Sequence, residues 1–322
     1  MRLDADDRLA YAAPMREKLR QLQVQLSEKV LGAEEPAKML ILALISNGHV
    51  LLQGAPGIGK TTLASLVARS ISGRFKRIQF TPDLLPSDIM GYSMYNQAAG
   101  EFQFVQGPVF CNILLADEIN RTNPRIQSAL LECMNEHQVT VDGITRPLPP
   151  PFMVIATQNN LYATGTFPLP EPQLDRFLLS VDMELPTKEI QHQILSYHAA
   201  RGDEQAPQVI LSVEEIQAMQ NEVKDVAVSD AINHYIIALS EATHATHRLR
   251  SGLSPRGSIA LMRVAQALAY VEEQPAVYPD HVKAVFINVC VHRLIPRERG
   301  PSAEQGVRES LEDILEESAI PV

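Results

Sequence analysis

The rhythm of apolar and polar positions changes once, decisively, along this chain. Up to residue 183, short apolar runs at 49–52, 113–116 and 152–157, bounded by turn residues, alternate with longer helical spacings. Runs this short predict buried parallel strands. Residues 75–80 alternate as another strand, and 177–183 close the series. Between them, Met39, Leu40, Leu42, Ala43, Leu44 and Ile45 make 34–46 a helix buried on most sides, 61–71 reads as a helix, and 125–136 is amphipathic. Ahead of these, the first twenty residues predict a leader helix, continued through Leu22, Val24 and Leu26 until Val30-Leu31-Gly32 breaks it. After Leu185-Pro186 the spacing is helical throughout, over 188–201, 213–223, 229–246, 255–271 and 279–292, with no strand alternation. The pattern therefore predicts three parts: a helical leader (1–29), an α/β domain (30–186) and a helical domain (187–322).

Two segments interrupt the α/β rhythm. Tyr92, Tyr95, Phe102, Phe104 and Phe110 surround an Ala98-Ala99-Gly100 turn, which predicts an inserted β-hairpin. Cross-strand packing is the first reading of these aromatics, and contact with a client is the second. Asp142-Gly143 between 139–141 and 144–146 predicts a second hairpin with a tight type I′ turn.

Composition narrows the class. At 322 residues, 45% hydrophobic and 20% charged, the chain can bury a sizeable core. No apolar run approaches the ~20 residues of a membrane span, and Met1 to Arg8 is too charged for a signal peptide, so a cytoplasmic protein is expected. Cys111, Cys133 and Cys290 lack metal or disulfide spacing and read as core residues. The formal net charge of −10, with no Lys or Arg between residues 92 and 106, argues against a nucleic-acid motor. His244 and His247 form an HxxH spacing without a supporting third ligand, which argues against a metal there. The acidic tail reads as one more solvated helix, over 305–317.

Chemistry concentrates at Gly54-Ala55-Pro56-Gly57-Ile58-Gly59-Lys60-Thr61-Thr62, directly after an apolar strand and opening a helix. This is a P-loop: its backbone N–H groups and helix N-terminus cradle phosphates, Lys60 reaches the β and γ phosphates, and the Thr61 hydroxyl ligates Mg²⁺. A dinucleotide fingerprint fails, because its third glycine falls on Thr62. The strand 113–116 ends in Asp117-Glu118, which fits Asp117 holding Mg²⁺ and Glu118 activating the attacking water. Asn159, at the end of the strand 152–157, is the candidate to sense the γ-phosphate. Ser254-Pro255 starts a helix with Arg256 in its first turn, where a cation opposes the helix dipole. Either a phosphate or a surface carboxylate would favour it there.

Several of these stretches resemble the MoxR-type AAA+ ATPases from about Val30 to about Leu294. They are Gly48-His49-Val50-Leu51-Leu52, Phe80-Thr81-Pro82-Asp83-Leu84-Leu85-Pro86-Ser87-Asp88, Gly107-Pro108-Val109-Phe110, Ala116-Asp117-Glu118-Ile119-Asn120-Arg121, Gly165-Thr166-Phe167-Pro168-Leu169-Pro170-Glu171 and Gln173-Leu174-Asp175-Arg176-Phe177. The resemblance implies an α/β fold, specifically an αβα nucleotide-binding domain with inserted β-hairpins, followed by an all-α lid. It implies an ATPase using ATP and Mg²⁺ in a homo-oligomeric ring, usually a hexamer. Asn159 is then sensor 1, Arg176 an arginine finger inserted into the neighbouring subunit's site, and Arg256 sensor 2. Val30, Leu31 and Gly32 would lie near the adenine. Chaperone-like remodelling or maturation of a protein complex, often with a von Willebrand factor A domain partner, is the expected role. A nucleic-acid motor and a non-catalytic ATP-dependent scaffold are the alternatives. The chain departs from the family at Ala33, where glutamine is frequent, and in the loop 160–164, which lacks the usual proline and acidic residues.

Overall fold

The computed structural model describes residues 5–159, 166–200, 206–297 and 303–319. The loop 160–164 lies outside the described residues. In chain order the elements are α1 (Ala5–Lys29), α2 (Glu34–Ile45), β1 (Val50–Gly54), α3 (Lys60–Arg69), β2 (Ile71–Ser72), β3 (Phe75–Gln79), α4 (Pro86–Met90), β4 (Gly91–Asn96), β5 (Glu101–Gln106), β6 (Ile113–Asp117) and α5 (Pro124–Glu136). They continue with β7 (Gln138–Val141), β8 (Ile144–Pro147), β9 (Met153–Thr157), α6 (Glu171–Leu174), β10 (Leu179–Met183), α7 (Lys188–Ala200), β11 (Leu211–Ser212) and α8 (Val213–Lys224). The last are α9 (Asp230–Ala245), β12 (Leu249–Ser251), α10 (Pro255–Val271), α11 (Pro279–Cys290), β13 (Ile295–Pro296) and α12 (Ala303–Glu317). None of the described helices is long and apolar enough to cross a membrane.

The chain forms two compact units: residues 1–41, 49–169 and 181–217 make the first, and 42–48, 170–180 and 218–322 the second. The first unit is organised by a sheet of order β10-β1-β9-β6-β3. β1 pairs with β9, β9 with β6 and β6 with β3, all in parallel. Every residue of β6 and β9 is buried, which is why these strands read as continuous apolar runs rather than alternating ones. Edge strand β3 departs from the expected alternation: Lys76, Arg77 and Gln79 are exposed and only Ile78 is buried, because one side of an edge strand has no neighbour to cover it. Parallel strands aligned this way bring the ends of β1, β6 and β9 together, and the candidate chemistry sits at those ends.

Both hairpins are present. In β4–β5 the pairing runs Tyr95 against Phe102 and Ser93 against Phe104, and the Tyr95 and Phe102 rings meet edge-on at 5.3 Å. Phe104 packs on Phe110 at 5.7 Å and carries the Arg146 guanidinium 3.8 Å over its face. Packing thus accounts for these aromatics in large part, yet Phe102 remains 73% exposed. Asp142 and Gly143 both adopt positive φ, 53° and 74°, as a type I′ turn requires.

The second unit is a helical bundle in which α10, with Ala260, Ala265 and Ala269 buried, packs against α11, with Val282, Val285 and Phe286 buried. Three further points differ from the sequence-based expectation. The leader is the expected helix, but its buried stripe is Met15, Leu19, Leu22 and Leu26, so Val24 points outward at 55% exposure. The helical half also contains strand: β12 pairs antiparallel with β13, and β11 pairs with β2. Two- and three-residue strands are too short to register as alternation. Finally, α12 is not simply a solvated helix, because Val307, Leu311 and Ile314 are buried on one face.

A candidate phosphate and nucleotide site

The turn from β1 into α3 adopts backbone conformations open mainly to glycine. Gly54, Gly57 and Gly59 have φ of 135°, 81° and 100°. A Cβ on Gly54 would lie 2.3 Å from the Met183 carbonyl oxygen, so this position admits no side chain. Gly59, left-handed, immediately precedes α3, leaving the first N–H groups of that helix directed at the loop.

Five side chains converge there. Lys60 is buried, and its ammonium donates to the carbonyls of Gly54 and Ala55, each at 2.7 Å, and to Asn159 Oδ1 at 2.9 Å. Burial lowers its pKa from the ordinary lysine value, opposed by the charges of Asp117 and Glu118. Asn159 Nδ2 donates in turn to Glu118 Oε1 at 2.9 Å. Because an ammonium only donates and a carboxylate only accepts, the amide orientation follows from the chemistry. Asn159 therefore links the loop lysine to the acid that follows β6.

Asp117, 4% exposed, accepts from Thr61 Oγ1 at 3.1 Å and from Thr157 Oγ1 at 2.6 Å. Its other oxygen pairs with Arg77 at 2.7 Å. Thr157 Oγ1 also accepts the Glu118 N–H at 2.9 Å, coupling the two acids through one hydroxyl. Glu118 stands at φ 57° and ψ 53°, a left-handed conformation costly for a residue with a Cβ. That turn points its carboxylate back over the sheet, where Gln79 Nε2 reaches it at 3.0 Å and Arg121 Nε at 3.1 Å. An ionised carboxylate beside a hydroxyl is a hard oxygen donor set, which suits Mg²⁺ held together with phosphate and water.

Beside the loop, a cavity of about 670 Å³ is lined by Val30, Leu31, Gly32, Pro56, Ile58 and Ile190 among others. Its size and mixed lining suit a nucleoside. Sequence reasoning placed Val30, Leu31 and Gly32 near a base but missed Ile190, Ile194 and Tyr197 of α7, whose helical spacing carries no motif. It also missed Arg121, a local neighbour three residues after Glu118, and Arg77, Gln79 and Thr157, for which strand register is the signal: Gln79 lies opposite Asp117 in the β3–β6 pairing.

Arg176 and Arg256 belong to the second unit. There, Arg256 Nε lies 3.9 Å from Asp175 Oδ2, so a carboxylate does face this first-turn cation. Ser254 caps the helix as expected, accepting from the Gly257 N–H at 3.2 Å. His244 Nε2 lies 3.0 Å from the Leu253 carbonyl, an ordinary structural bond for an imidazole.

A glycine-rich loop between a central strand and a helix, with two acids at the end of β6, the strand beyond β9 in the same parallel sheet, defines a P-loop nucleotidase. Residues 49–179 match the ATPase family associated with various cellular activities (AAA), and residues 241–318 match an AAA lid domain. The chain is 40% identical to the chaperone MoxR1 of Mycobacterium tuberculosis, over 83% of this chain and 72% of that one. It is 41% identical to the uncharacterized protein YeaC of Bacillus subtilis, over 94% of this chain and 95% of the other. A crystal structure of a Cytophaga hutchinsonii protein superimposes with a TM-score of 0.86 at 36% identity, covering 98% of each chain. The chain belongs to the MoxR family of AAA+ ATPases, and it is an ATPase.

Proposed function

We propose that this ATPase works as a Mg²⁺-dependent homo-oligomeric ring, a hexamer, that remodels or matures a protein complex. The observation that carries the catalytic half is the Lys60–Asn159–Glu118 chain beside the Thr61–Asp117 pair. In this reading the loop from Gly54 to Thr62 wraps the phosphates, Lys60 neutralises the β and γ phosphates, and Thr61 and Asp117 hold the metal. Glu118 orients and deprotonates the attacking water, while Asn159 reports on the γ-phosphate. Such a water-activating acid has no use in a scaffold that only binds ATP. The nucleotide would seat its base against Val30, Leu31 and Gly32.

Arg176 is assigned as an arginine finger acting on the neighbouring subunit's nucleotide, and Arg256 as the second sensor. The chaperone role is supported by the relative named for it. Exposed Tyr92, Met94, Tyr95 and Phe102 make the β4–β5 hairpin the surface we assign to the client. The family resemblance adds a von Willebrand factor A domain protein as partner. We assign it to the cytoplasm, where ATP is available to such a ring.

The steady-state ATPase rate per subunit, measured against protein concentration at saturating Mg²⁺ and ATP, tests this reading. A specific rate that climbs with concentration supports a site completed between subunits. A flat rate, or one unchanged when EDTA removes the metal, overturns it.

A further inference from the structure

Asp175, Arg176, Phe177 and Leu178 form a turn on which the candidate finger is carried, and one buried side chain holds that turn from below. Arg293 is 4% exposed as a side chain. Its Nε donates to Asp175 Oδ1 at 2.9 Å, Nη2 to the Phe177 carbonyl at 2.6 Å, and Nη1 to the Leu178 carbonyl at 3.1 Å and to that of Val289. His292 Nε2 lies 3.0 Å from the same Phe177 carbonyl, and the Phe177 ring is fully buried. Three of the four turn residues are thus tied to Arg293, and Arg176, half-buried, is the one left over.

Stability alone does not call for this arrangement. Buried ion pairs are often matched or exceeded in stability by apolar residues of similar volume. What a guanidinium adds is a rigid planar fork whose donors fix several acceptors in one geometry. Here those acceptors flank Arg176 on both sides in sequence. The second Asp175 oxygen faces Arg256 at 3.9 Å, so one carboxylate supports both candidate sensor and finger segments.

We propose that Arg293 is a positioning residue: through Asp175 and the Phe177 and Leu178 carbonyls it sets the direction in which Arg176 is presented to a neighbouring subunit. This rests on the finger reading of Arg176 given above. The consequence is a defect in trans. A subunit with a loosened Arg293 binds nucleotide normally but fails the subunit next to it.

The test is a doping series in which wild-type protein is mixed with an equal amount of Glu118→Gln, Arg176→Ala/Glu118→Gln or Arg293→Lys/Glu118→Gln subunits. Arg293→Lys keeps the charge and removes the fork. With random mixing, Glu118→Gln alone silences its own sites and leaves about half the rate, whereas a lost finger also silences the neighbour and leaves about a quarter. Arg293→Lys/Glu118→Gln is expected to fall with the finger variant, because a misplaced catalytic group loses roughly 10²-fold. Affinity of the mixed-in subunits for a fluorescent ADP analogue should stay at the wild-type value, and the series is run below their melting temperature, which loss of the buried fork lowers.

If Arg293→Lys/Glu118→Gln follows Glu118→Gln while Arg176→Ala/Glu118→Gln shows the extra loss, the positioning role is wrong and the finger stands. If neither shows extra loss, the finger reading fails and the positioning role falls with it. Should Arg293→Lys not fold, Asp175→Asn/Glu118→Gln replaces it in the doping series, with the same expected rate and the same overturning result; its nucleotide affinity is not a control, because Asp175 also faces Arg256.

Discussion

The two ends of the same strands carry opposite kinds of polar cluster. At the C-terminal ends of β1, β6 and β9 lie a lysine, two carboxylates and an amide, partly open to solvent, with Glu118 in a strained backbone conformation. At the other end His49, directly ahead of β1, is sealed in. Its Nδ1 accepts the Val154 N–H at 3.0 Å and its Nε2 donates to the Met134 carbonyl at 3.0 Å. The Phe152 and His137 rings pack on it at 5.8 and 6.0 Å. Both clusters bridge strands through side chains, but one holds charges that a ligand could take over and the other a neutral ring whose bonds are complete. The difference teaches that polarity in a core does not by itself mark function. Charge held by partners that a phosphate or a metal could replace, at the carboxyl end of a parallel sheet, does.

Substitutions at each end should separate activity from stability. The largest effect is expected from Glu118→Gln, which should lower turnover by roughly 10²–10⁴-fold while leaving nucleotide affinity intact, read by phosphate release and by titration with a fluorescent ATP analogue. A turnover loss below tenfold would break the assignment of this acid. Lys60→Ala should instead abolish tight nucleotide binding, and equal affinity of the two variants would contradict the proposed division of roles.

At the opposite end, His49→Ala strips partners from a buried N–H and a buried carbonyl and opens a cavity. It should cost about 3 kcal/mol in urea denaturation. Turnover of the folded fraction should stay near wild type; a stable but inactive variant would erase the contrast between the two ends.

The same histidine predicts an acid dependence. Burial, helped by the nearby His137, pushes the His49 pKa down from 6.5 to about 4, offset by its bond to the Met134 carbonyl. Between those values the unfolded chain binds a proton that the folded chain refuses, so this contribution is intact above pH 6.5 and lost as pH falls towards 4, by about 3 kcal/mol in all. Melting temperatures between pH 4 and 7 should show this slope, and a His49→Gln variant should flatten it.

The smallest effect should come from Thr157→Val, which keeps the shape but removes the hydroxyl shared by Asp117 and the Glu118 N–H. A loss of about 1–2 kcal/mol in stability and roughly tenfold in the Mg²⁺ concentration for half-maximal activity is expected. An unchanged Mg²⁺ dependence would separate Thr157 from the proposed metal site.

Local chemistry determined much of this protein from the sequence alone. The phosphate loop was legible because backbone conformations at Gly54, Gly57 and Gly59 are open mainly to glycine, and because an apolar run before it and a helical spacing after it supply its setting. Strands β6 and β9, the two hairpins and the caps at Ser254 and Pro255 were legible for the same reason: each is a contest among neighbours in the chain. Tertiary structure alone decided what lies across the strands. Nothing near Arg77 or Gln79 in sequence announces Asp117 or Glu118; strand register brings them together. The inward face of α12, the short β12–β13 pair and the bonds of Arg293 to residues 175, 177 and 178 likewise depend on partners far along the chain. A contact between distant residues leaves no periodicity in either segment, so only the folded chain reveals it.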